Sequence, residues 1–209
     1  MDRKGILLVV SGFSGAGKGT LMKELVGRYD NYALSISATT RSPREGELDG
    51  REYFFRTKEE FEQMIADDAL IEHACYVGNY YGTPRVYVEE QLALGRDVIL
   101  EIEIQGALQI KKRFPDTLLL FVSTPDAETL KNRLIGRGTE SLDVVEKRLS
   151  RASEEAEGIE NYDYFIINDD LDTCVTQVHQ IIQGEHSRVS RNLELINTIK
   201  KDISKFQKG

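Results

Sequence analysis

The chain has 209 residues, of which 40% are hydrophobic and 30% are charged. These proportions exclude a disordered chain, and the apolar runs fall far short of the roughly 18 residues that a membrane-spanning helix needs. The 27 basic and 35 acidic residues give a net charge of −8, which disfavours binding to nucleic acid or to anionic membranes.

The N-terminal segment predicts a cytoplasmic protein. It leads directly into an apolar run at Ile6–Val10 and has no apolar signal region with a small-residue cleavage site. The two cysteines, Cys75 and Cys174, lack metal-ligand spacing. We predict that both are buried thiols in a reducing compartment.

Short β-branched runs alternate with helical stretches along most of the chain. Such alternation is typical of a parallel sheet covered by helices, so the predicted fold class is α/β. The core strands are expected at residues 6–10, 98–104, 118–123 and 165–168.

A glycine-rich loop follows the first of these strands and precedes a helical pattern. It reads Gly12-Phe-Ser-Gly-Ala-Gly-Lys18-Gly-Thr20, the arrangement of a Walker A phosphate loop. Its backbone N–H groups can bind phosphate oxygens, and Lys18 can reach the β- and γ-phosphates of a nucleoside triphosphate. We predict that ATP binds to the loop residues Gly12, Phe13, Ser14, Gly15, Ala16, Gly17, Lys18, Gly19 and Thr20.

The loop departs from the general pattern at one position. The residue after Lys18 is Gly19, where the pattern has a Ser or Thr hydroxyl that ligates Mg²⁺. Thr20 lies one step along the helix, and that step turns a side chain by roughly 100°. We therefore expect Mg²⁺ to depend on the ATP phosphates, on water and on a nearby carboxylate.

The segment between the first two core strands differs from the core in having only weaker strand signals. Weaker strands are expected at residues 35–38, 53–55 and 71–76, and a capping box at Thr57–Glu60 predicts a helix start. The segment also carries Arg41 and Arg44, which could hold a monophosphate or form a solvated basic turn. We interpret it as a subdomain inserted into the core.

Two helical stretches follow the central strands. The first runs from Thr124 to about Gly158 and begins with Thr124-Pro-Asp126, which predicts a helix cap at Thr124. The second predicts one helix from about Leu171 to Phe206. The last part of that helix either docks on the core or forms a seam with a second copy, so the chain is a monomer or a homo-oligomer.

Several separated motifs together resemble the guanylate kinase family and occur in the family's order over about residues 4–185. Besides the phosphate loop, they are Ser35-Ile-Ser-Ala-Thr-Thr-Arg-Ser-Pro-Arg44, Gly46-Glu-Leu-Asp-Gly-Arg-Glu-Tyr-Phe-Phe55, Glu72-His-Ala74, Gly78-Asn-Tyr-Tyr-Gly-Thr83, Ile99-Leu-Glu-Ile-Glu-Ile-Gln-Gly106, Arg133-Leu-Ile-Gly-Arg-Gly-Thr-Glu140 and Ile167-Asn-Asp-Asp170. The resemblance implies an enzyme of purine nucleotide metabolism that transfers the γ-phosphoryl group of ATP to GMP, giving ADP and GDP.

The resemblance also implies a domain organisation. A P-loop NTPase core with a parallel sheet would comprise residues 4–33, 94–124 and 159–185. A GMP-binding subdomain would span 34–93, and a helical lid would span 125–158. The C-terminal amphipathic helical extension, residues 186–209, lies outside the resemblance.

The motifs that match the family also indicate which residues of this chain form the site. The resemblance implies that GMP contacts Ser37, Arg41, Arg44, Tyr53, Glu72, Tyr81, Thr83 and Glu103, and that Asn168 lies near the adenine of ATP. It implies that phosphoryl transfer depends on Lys18, Arg41, Arg133, Arg137 and Arg148.

Three acids are expected to take part in recognition of guanine and in binding of Mg²⁺. Guanine presents N1–H and its exocyclic amine as adjacent donors, which the carboxylate of Glu72 can accept, whereas adenine presents an acceptor at N1. Glu101 and Glu103 stand where many family members have Asp-x-Asp. Because alternate residues of a strand share a face, we expect Glu101 to point toward Mg²⁺, mostly through water, and Glu103 toward guanine.

Two alternatives to this function are a non-catalytic guanylate-kinase-like module that binds proteins and a kinase for another nucleoside monophosphate such as AMP. The intact loop with Lys18 and the lid arginines argue against the first. Glu72 argues against the second. The expected partners are therefore the small molecules ATP and GMP, without nucleic acid or membrane.

Overall fold

The computed structural model describes residues 4–76, 78–136 and 142–207 of the chain. Within these ranges the strands are β1 (Leu7–Gly12), β2 (Tyr32–Leu34), β3 (Ala38–Thr39), β4 (Phe54–Phe55), β5 (Leu70–Tyr76), β6 (Asn79–Pro84), β7 (Asp97–Glu101), β8 (Leu118–Ser123) and β9 (Tyr164–Ile167). The α-helices are α1 (Lys18–Arg28), α2 (Lys58–Ala66), α3 (Arg85–Ala93), α4 (Ile104–Arg113), α5 (Ala127–Gly136), α6 (Leu142–Ala156), α7 (Leu171–His186) and α8 (Leu193–Ser204). In the described ranges, no helix is both long and apolar enough to cross a membrane.

A five-stranded sheet forms the centre of the molecule. Its strand order is β2-β7-β1-β8-β9, and every neighbouring pair is parallel. The carboxyl ends of all five strands therefore meet at one edge, where ligands bind in open α/β sheets. The predicted α/β class with a parallel-sheet core is confirmed.

The central strand β1 is buried on both faces. Leu8 and Val10 belong to a hydrophobic cluster with residues of α1 and α7, whereas Leu7 and Val9 pack in a second cluster with residues of α3 and α4. Alternate side chains of a strand point to opposite faces. Helices consequently cover both faces of the core sheet.

A smaller sheet, with the order β4-β3-β6-β5, lies between β2 and β7 in the chain. The fully buried Phe61 of α2 lies in a cluster with Ala38 and Leu70 and so joins α2 to this sheet. The predicted capping box at the start of α2 is confirmed. The Thr57 hydroxyl accepts from the Glu60 backbone N at 3.1 Å, and the Glu60 carboxylate accepts from the Thr57 N at 2.8 Å.

Helix α3 follows the smaller sheet in the chain but packs on the core. Its Val88 is fully buried in a cluster with Val98 and Leu100 of β7. Within the predicted subdomain 34–93, α3 is therefore a helix that packs on the core sheet.

Helices α5 and α6 pack together beside the phosphate loop. Their shared hydrophobic cluster contains Leu130, Leu134, Val145 and Ala152, with Phe13 of the loop packed against it. The cap of α5 is Asp126, whose Oδ1 accepts from the Thr129 N at 2.6 Å. The prediction of a cap at Thr124 is wrong, because the Thr124 hydroxyl donates to the Asp126 carbonyl at 2.8 Å instead.

Two other local predictions need correction. The strand expected through residue 104 ends at Glu101, because α4 begins at Ile104. Cys174 is buried as predicted, but Cys75 lies on the edge strand β5 and is exposed.

The predicted single C-terminal helix is divided into two. α7 ends at His186, a short 3-10 helix spans Val189–Arg191, and α8 begins at Leu193. Asn192 donates through Nδ2 to the carbonyls of His186 and Arg188, both at 2.8 Å. These bonds satisfy carbonyl groups that the end of a helix leaves free, and they fix the break.

Candidate active site

The phosphate loop joins β1 to α1 at the carboxyl edge of the core sheet. Gly12 has a φ of 153° and passes so close to β8 that a Cβ would lie 2.0 Å from the Val122 carbonyl oxygen. Gly17, the N-cap of α1, has a φ of 85°. Both positions therefore require glycine, and the loop leads into the free N–H groups of a helix N-terminus.

Lys18 lies folded over this loop. Its Nζ donates to the carbonyl oxygens of Gly12 at 2.8 Å and Phe13 at 3.2 Å. The buried Asn168, directly after β9, donates through Nδ2 to the Ala16 carbonyl at 2.8 Å. The two side chains hold the loop backbone and keep the Lys18 ammonium beside it.

Glu101 lies at the end of β7, in register with Val10 of β1. Its side chain is exposed, but partial burial by the surrounding protein raises its pKa, while the nearby Lys18 ammonium lowers it. The backbone of Gly19 has open space where a Cβ would lie, and Thr20 is exposed. The carboxylate of Glu101 is thus placed to act as a ligand for a cation bound at the phosphate loop.

A buried acid lies in the smaller sheet. Glu72 of β5 is 8% exposed, and its Oε1 accepts from the Thr83 hydroxyl of β6 at 2.7 Å. Burial raises the pKa of Glu72 to about 7, and the hydrogen bonds from Thr83 limit this rise. Gly106 of α4 lies so near that a Cβ there would be 3.2 Å from Glu72 Oε2. The carboxylate therefore lies between the smaller sheet and the core.

Arg41 lies beside two tyrosines of the same subdomain. Its guanidinium carbon is 5.3 Å from the centre of the Tyr53 ring, and the Tyr53 and Tyr81 rings meet edge to face at 6.1 Å. Arg41 Nη2 donates to both carboxylate oxygens of Glu47 at 3.0 Å. Burial lowers the pKa of Arg41, but Glu47, together with a smaller effect of Tyr81, outweighs burial and raises the pKa above its usual value. These residues form a cationic group flanked by phenols, suited to a phosphate.

The loop between β3 and β4 also holds Arg44. Its backbone N donates to Glu47 Oε2 at 2.7 Å, and its side chain is exposed. Glu47 therefore contacts both predicted phosphate arginines. Ser37 precedes β3, is half-buried, and accepts through its carbonyl from the Phe54 N at 2.9 Å.

Two arginines of the predicted lid contact the phosphate loop or the residue that follows β9. Arg148 of α6 donates through Nη1 to Ser14 Oγ at 2.9 Å. Arg133 of α5 donates through Nη1 to the Asn168 carbonyl at 2.8 Å. Both bring positive charge close to the phosphate loop, whereas Arg137 lies outside the described residues.

Glu103 is the N-cap residue of α4 rather than a strand residue. Because β7 ends at Glu101, the expected alternation along one strand face is wrong for this pair. The Glu103 carboxylate accepts from Arg151 Nη2 of α6 at 2.8 Å. Its contact with guanine stays a prediction, and in this structure Glu103 joins the start of α4 to α6.

A family model described as guanylate kinase matches residues 4–185 of the chain. The chain belongs to the guanylate kinase family. The predicted family and the predicted P-loop NTPase fold are confirmed. The matched residues are those over which the sequence resemblance was expected, and residues 186–209 lie outside the match.

Guanylate kinases from several bacteria are similar to this family member. The guanylate kinase of one Bacillus cereus strain is 52% identical over 191 residues, which cover 91% of this chain and 93% of that protein. The one from Listeria innocua serovar 6a is 47% identical over 208 residues, which cover 99% and 100%. The crystal structure of guanylate kinase from Anaplasma phagocytophilum is 30% identical, has a TM-score of 0.73, and covers 90% of this chain and 89% of that one.

Sequence reasoning missed two partners in this guanylate kinase fold. Glu47 contacts Arg41 and Arg44, and Arg151 contacts Glu103. An acid placed three residues after the second of two arginines is the signal that could have found Glu47. No sequence pattern distinguishes Arg151 from its basic neighbours in α6.

Proposed function

We propose that this guanylate kinase family member transfers the γ-phosphoryl group of ATP to GMP and releases ADP and GDP. The observation that carries the proposal is the buried Glu72 carboxylate, which Thr83 orients in the subdomain that holds Arg41. A carboxylate in this position accepts from the adjacent donors of guanine and repels the N1 acceptor of adenine. The relatives named above are guanylate kinases and favour neither the protein-binding module nor a kinase for another monophosphate.

The acceptor nucleotide would span the smaller sheet. Glu72 would accept from guanine N1–H and the exocyclic amine. The other polar contacts to the base would come from Ser37, Thr83 and Glu103, and those to the phosphate from Arg41, Arg44, Tyr53 and Tyr81. Arginine forks match phosphate oxygens bidentately, and they reduce the repulsion between the GMP phosphate and the triphosphate.

The donor nucleotide would lie on the phosphate loop. The loop N–H groups and Lys18 would hold the β- and γ-phosphates, and Asn168 would lie near the adenine. In the transfer step a GMP phosphate oxygen forms a bond to the γ-phosphorus while the bond to the ADP oxygen breaks. Arg133 and Arg148 would neutralise the developing charge, as their contacts with the loop region support.

We also propose Mg²⁺ as the cation that accompanies ATP. Mg²⁺ commonly takes one or two protein carboxylates and keeps water and substrate phosphates as its other ligands. Glu101 fits this role, because its exposed carboxylate lies near Lys18 at the loop. When bound, the ion would neutralise charge on the β- and γ-phosphates.

Lid closure over both nucleotides would exclude water from the transferring group.

The partners are ATP and GMP, and the net charge of −8 supports the absence of nucleic acid. A cytoplasmic location and the bounds of the subdomain and lid remain predictions.

The test is a coupled assay of ADP formation with ATP and Mg²⁺, in which GMP, AMP, UMP and dTMP are offered separately. We expect ADP with GMP alone and a large loss of GMP turnover in Glu72→Gln. Glu62→Gln, which changes an exposed acid of α2, is the matched control. Release of ADP with another monophosphate would overturn the acceptor assignment. A folded protein that turns over none of them would favour the protein-binding module.

A further inference from the structure

The turn that follows α2 has a backbone conformation that normally takes glycine. Asp68 has a φ of 52° and is the one non-glycine residue with a positive φ in the described part of the chain. Its N–H donates to the Ile65 carbonyl at 3.1 Å, and the Ala69 N–H donates to the Met64 carbonyl at 2.9 Å. Helices that end with this pair of bonds usually have glycine at the left-handed position, because a Cβ raises the energy of that conformation. An aspartate here indicates that the side chain has a role of its own.

The carboxylate of Asp68 accepts hydrogen bonds from two arginines of neighbouring helices. Arg113 of α4 donates through Nη2 to both carboxylate oxygens at 2.8 Å, and Arg85 of α3 donates through Nη2 to Oδ2 at 2.8 Å. The hydrogen bonds from Arg113 lower the pKa of Asp68 and outweigh the loss of water that raises it, and Arg85 adds to the lowering. We name Asp68, Arg85 and Arg113 the Asp68 bridge.

The Asp68 bridge joins the smaller sheet to the core. Helix α2, which precedes Asp68, packs on the smaller sheet through Phe61. Val88 of α3 and Ile110 of α4 lie instead in the cluster beneath β7 of the core sheet. The side chains of Asp68 and Arg113 are 68% and 43% exposed. Since exposed ion pairs contribute little to stability, the unfavourable backbone of Asp68 points to a role in position.

The same arginines hold the start of β5 beside Glu72. Arg113 donates through Nη1 to the carbonyl of Ile71, the residue directly before Glu72, at 3.4 Å, and Arg85 donates through Nη2 to the carbonyl of Leu70 at 3.2 Å. Helix α4 also carries Gly106, where a Cβ would lie 3.2 Å from Glu72 Oε2. The position of the Glu72 carboxylate relative to the core therefore depends on how β5 is fastened to α4.

We propose that Asp68 and Arg113 are positioning residues for GMP, which act by holding Glu72 at a fixed position relative to the phosphate loop. The inference rests on the proposed function. GMP would lie across the smaller sheet, whereas the γ-phosphate of ATP would lie on the core, so the two reactants are aligned only when the two sheets are. A displacement of about 1 Å is enough to impair such an alignment.

Asp68→Gly tests the proposal in steady-state kinetics of the full chain. Glycine suits the left-handed backbone, so the variant should keep at least the urea midpoint of wild type while it loses the Asp68 bridge. We expect the KM for GMP to rise about fivefold or more and the KM for ATP to stay within about twofold. Asp67→Asn, which removes a negative charge from the exposed neighbouring residue, is the matched control and should leave both KM values unchanged. A wild-type KM for GMP in Asp68→Gly overturns the proposal.

Arg113→Gln tests the other end of the same contact. It should raise the KM for GMP as Asp68→Gly does, and Arg113→Lys should restore part of the loss. Lys112→Gln, a change at the exposed preceding residue of α4, is the control. Because the two residues act as a unit, the double variant Asp68→Gly with Arg113→Gln should be no worse than either single variant.

Three results would overturn this assignment. They are additive effects in the double variant, an equal rise of the KM for ATP, and unchanged KM values for GMP in both single variants. The last result, with a wild-type chain that turns over GMP, overturns this inference alone. A wild-type chain without GMP turnover would overturn the proposed function and this inference with it.

Discussion

The Thr83 hydroxyl donates a 2.7 Å hydrogen bond to Oε1 of Glu72, and both side chains are buried in the smaller sheet. Burial raises the pKa of Glu72 to about 7. Since only the ionised carboxylate offers all its oxygens to guanine donors, GMP affinity should fall as the pH drops below 7, by up to about tenfold per unit. Isothermal titration calorimetry with GMP at about pH 6 and about pH 8 measures the effect.

The phosphate of GMP itself titrates near pH 6, so the Glu72 contribution needs a reference. Glu72→Gln removes the ionisable carboxyl and leaves the phosphate unchanged. The part of the pH dependence of GMP affinity that the wild-type chain shows and Glu72→Gln lacks is then due to Glu72. Equal slopes in the two proteins would contradict the prediction.

The same acid should make the ligand-free protein less stable at higher pH. The pKa of Glu72 rises from 4.5 to about 7 on folding, so its protonation stabilises the fold fully below pH 4.5, and that stability is lost as the pH rises through 7. Between about pH 5 and about pH 8 the free energy of unfolding should fall by about 2–3 kcal/mol from this group. Urea unfolding of wild type and Glu72→Gln at both pH values measures it, and a variant with the same pH dependence as wild type would be evidence against it.

Arg41→Lys should weaken GMP binding selectively. The guanidinium of Arg41 contacts both oxygens of Glu47 and lies over Tyr53. An ammonium group lacks this planar fork, so the KM for GMP should rise about 10- to 100-fold while the KM for ATP stays unchanged. Steady-state kinetics with each nucleotide varied in turn measures both values.

Arg56→Lys is the matched control for that variant. Arg56 lies over the Phe54 ring at 5.4 Å in the same subdomain, and its replacement should leave both KM values nearly unchanged. An equal rise of the KM for ATP in Arg41→Lys would show a general disturbance instead of a phosphate contact.

Lys18→Ala should lower kcat by about 100- to 1,000-fold, because in the proposed transfer step it removes one charged donor to the transferring group. GMP should still bind with nearly the wild-type Kd, since Lys18 lies on the phosphate loop and not in the smaller sheet. Lys23→Ala, an exposed change on the same helix, is the control. Turnover in Lys18→Ala equal to the control would remove Lys18 from the transfer step.

The core strands and the phosphate loop can be predicted from the sequence because their signals are local. β8 spans Leu118–Ser123, the predicted bounds, since a strand covered on both faces reads as a continuous apolar run. β2 has three residues, and β6 contains Gly82 and Pro84, so neither strand has a usable periodicity.

The pairings of side chains in the site cannot be predicted in this way. Arg148 contacts Ser14 from 134 residues away, and Arg151 contacts Glu103 from 48 residues away. Which lid arginine faces which partner depends on how α5 and α6 pack on the loop. The motif predicts the residue types that the chemistry needs, and tertiary packing decides their partners.

Asp97 should be required for stability rather than for catalysis. It is 1% exposed at the start of β7, where Oδ1 accepts from the Ile6 N at 2.8 Å and lies 2.8 Å from His186 Nε2. Oδ2 accepts from Asn31 Nδ2 at 3.1 Å. Asp97→Asn disrupts this buried network and should lower the free energy of unfolding by about 2–4 kcal/mol, measured by urea unfolding.

The catalytic parameters of Asp97→Asn should survive, because Asp97 lies at the opposite end of β7 from Glu101. Below its unfolding transition the variant should keep the wild-type KM for GMP and for ATP. Asp30→Asn, at an exposed position, should change the free energy of unfolding by less than about 0.5 kcal/mol. A raised KM for GMP in Asp97→Asn at unchanged stability would instead connect this end of the sheet to the nucleotide site.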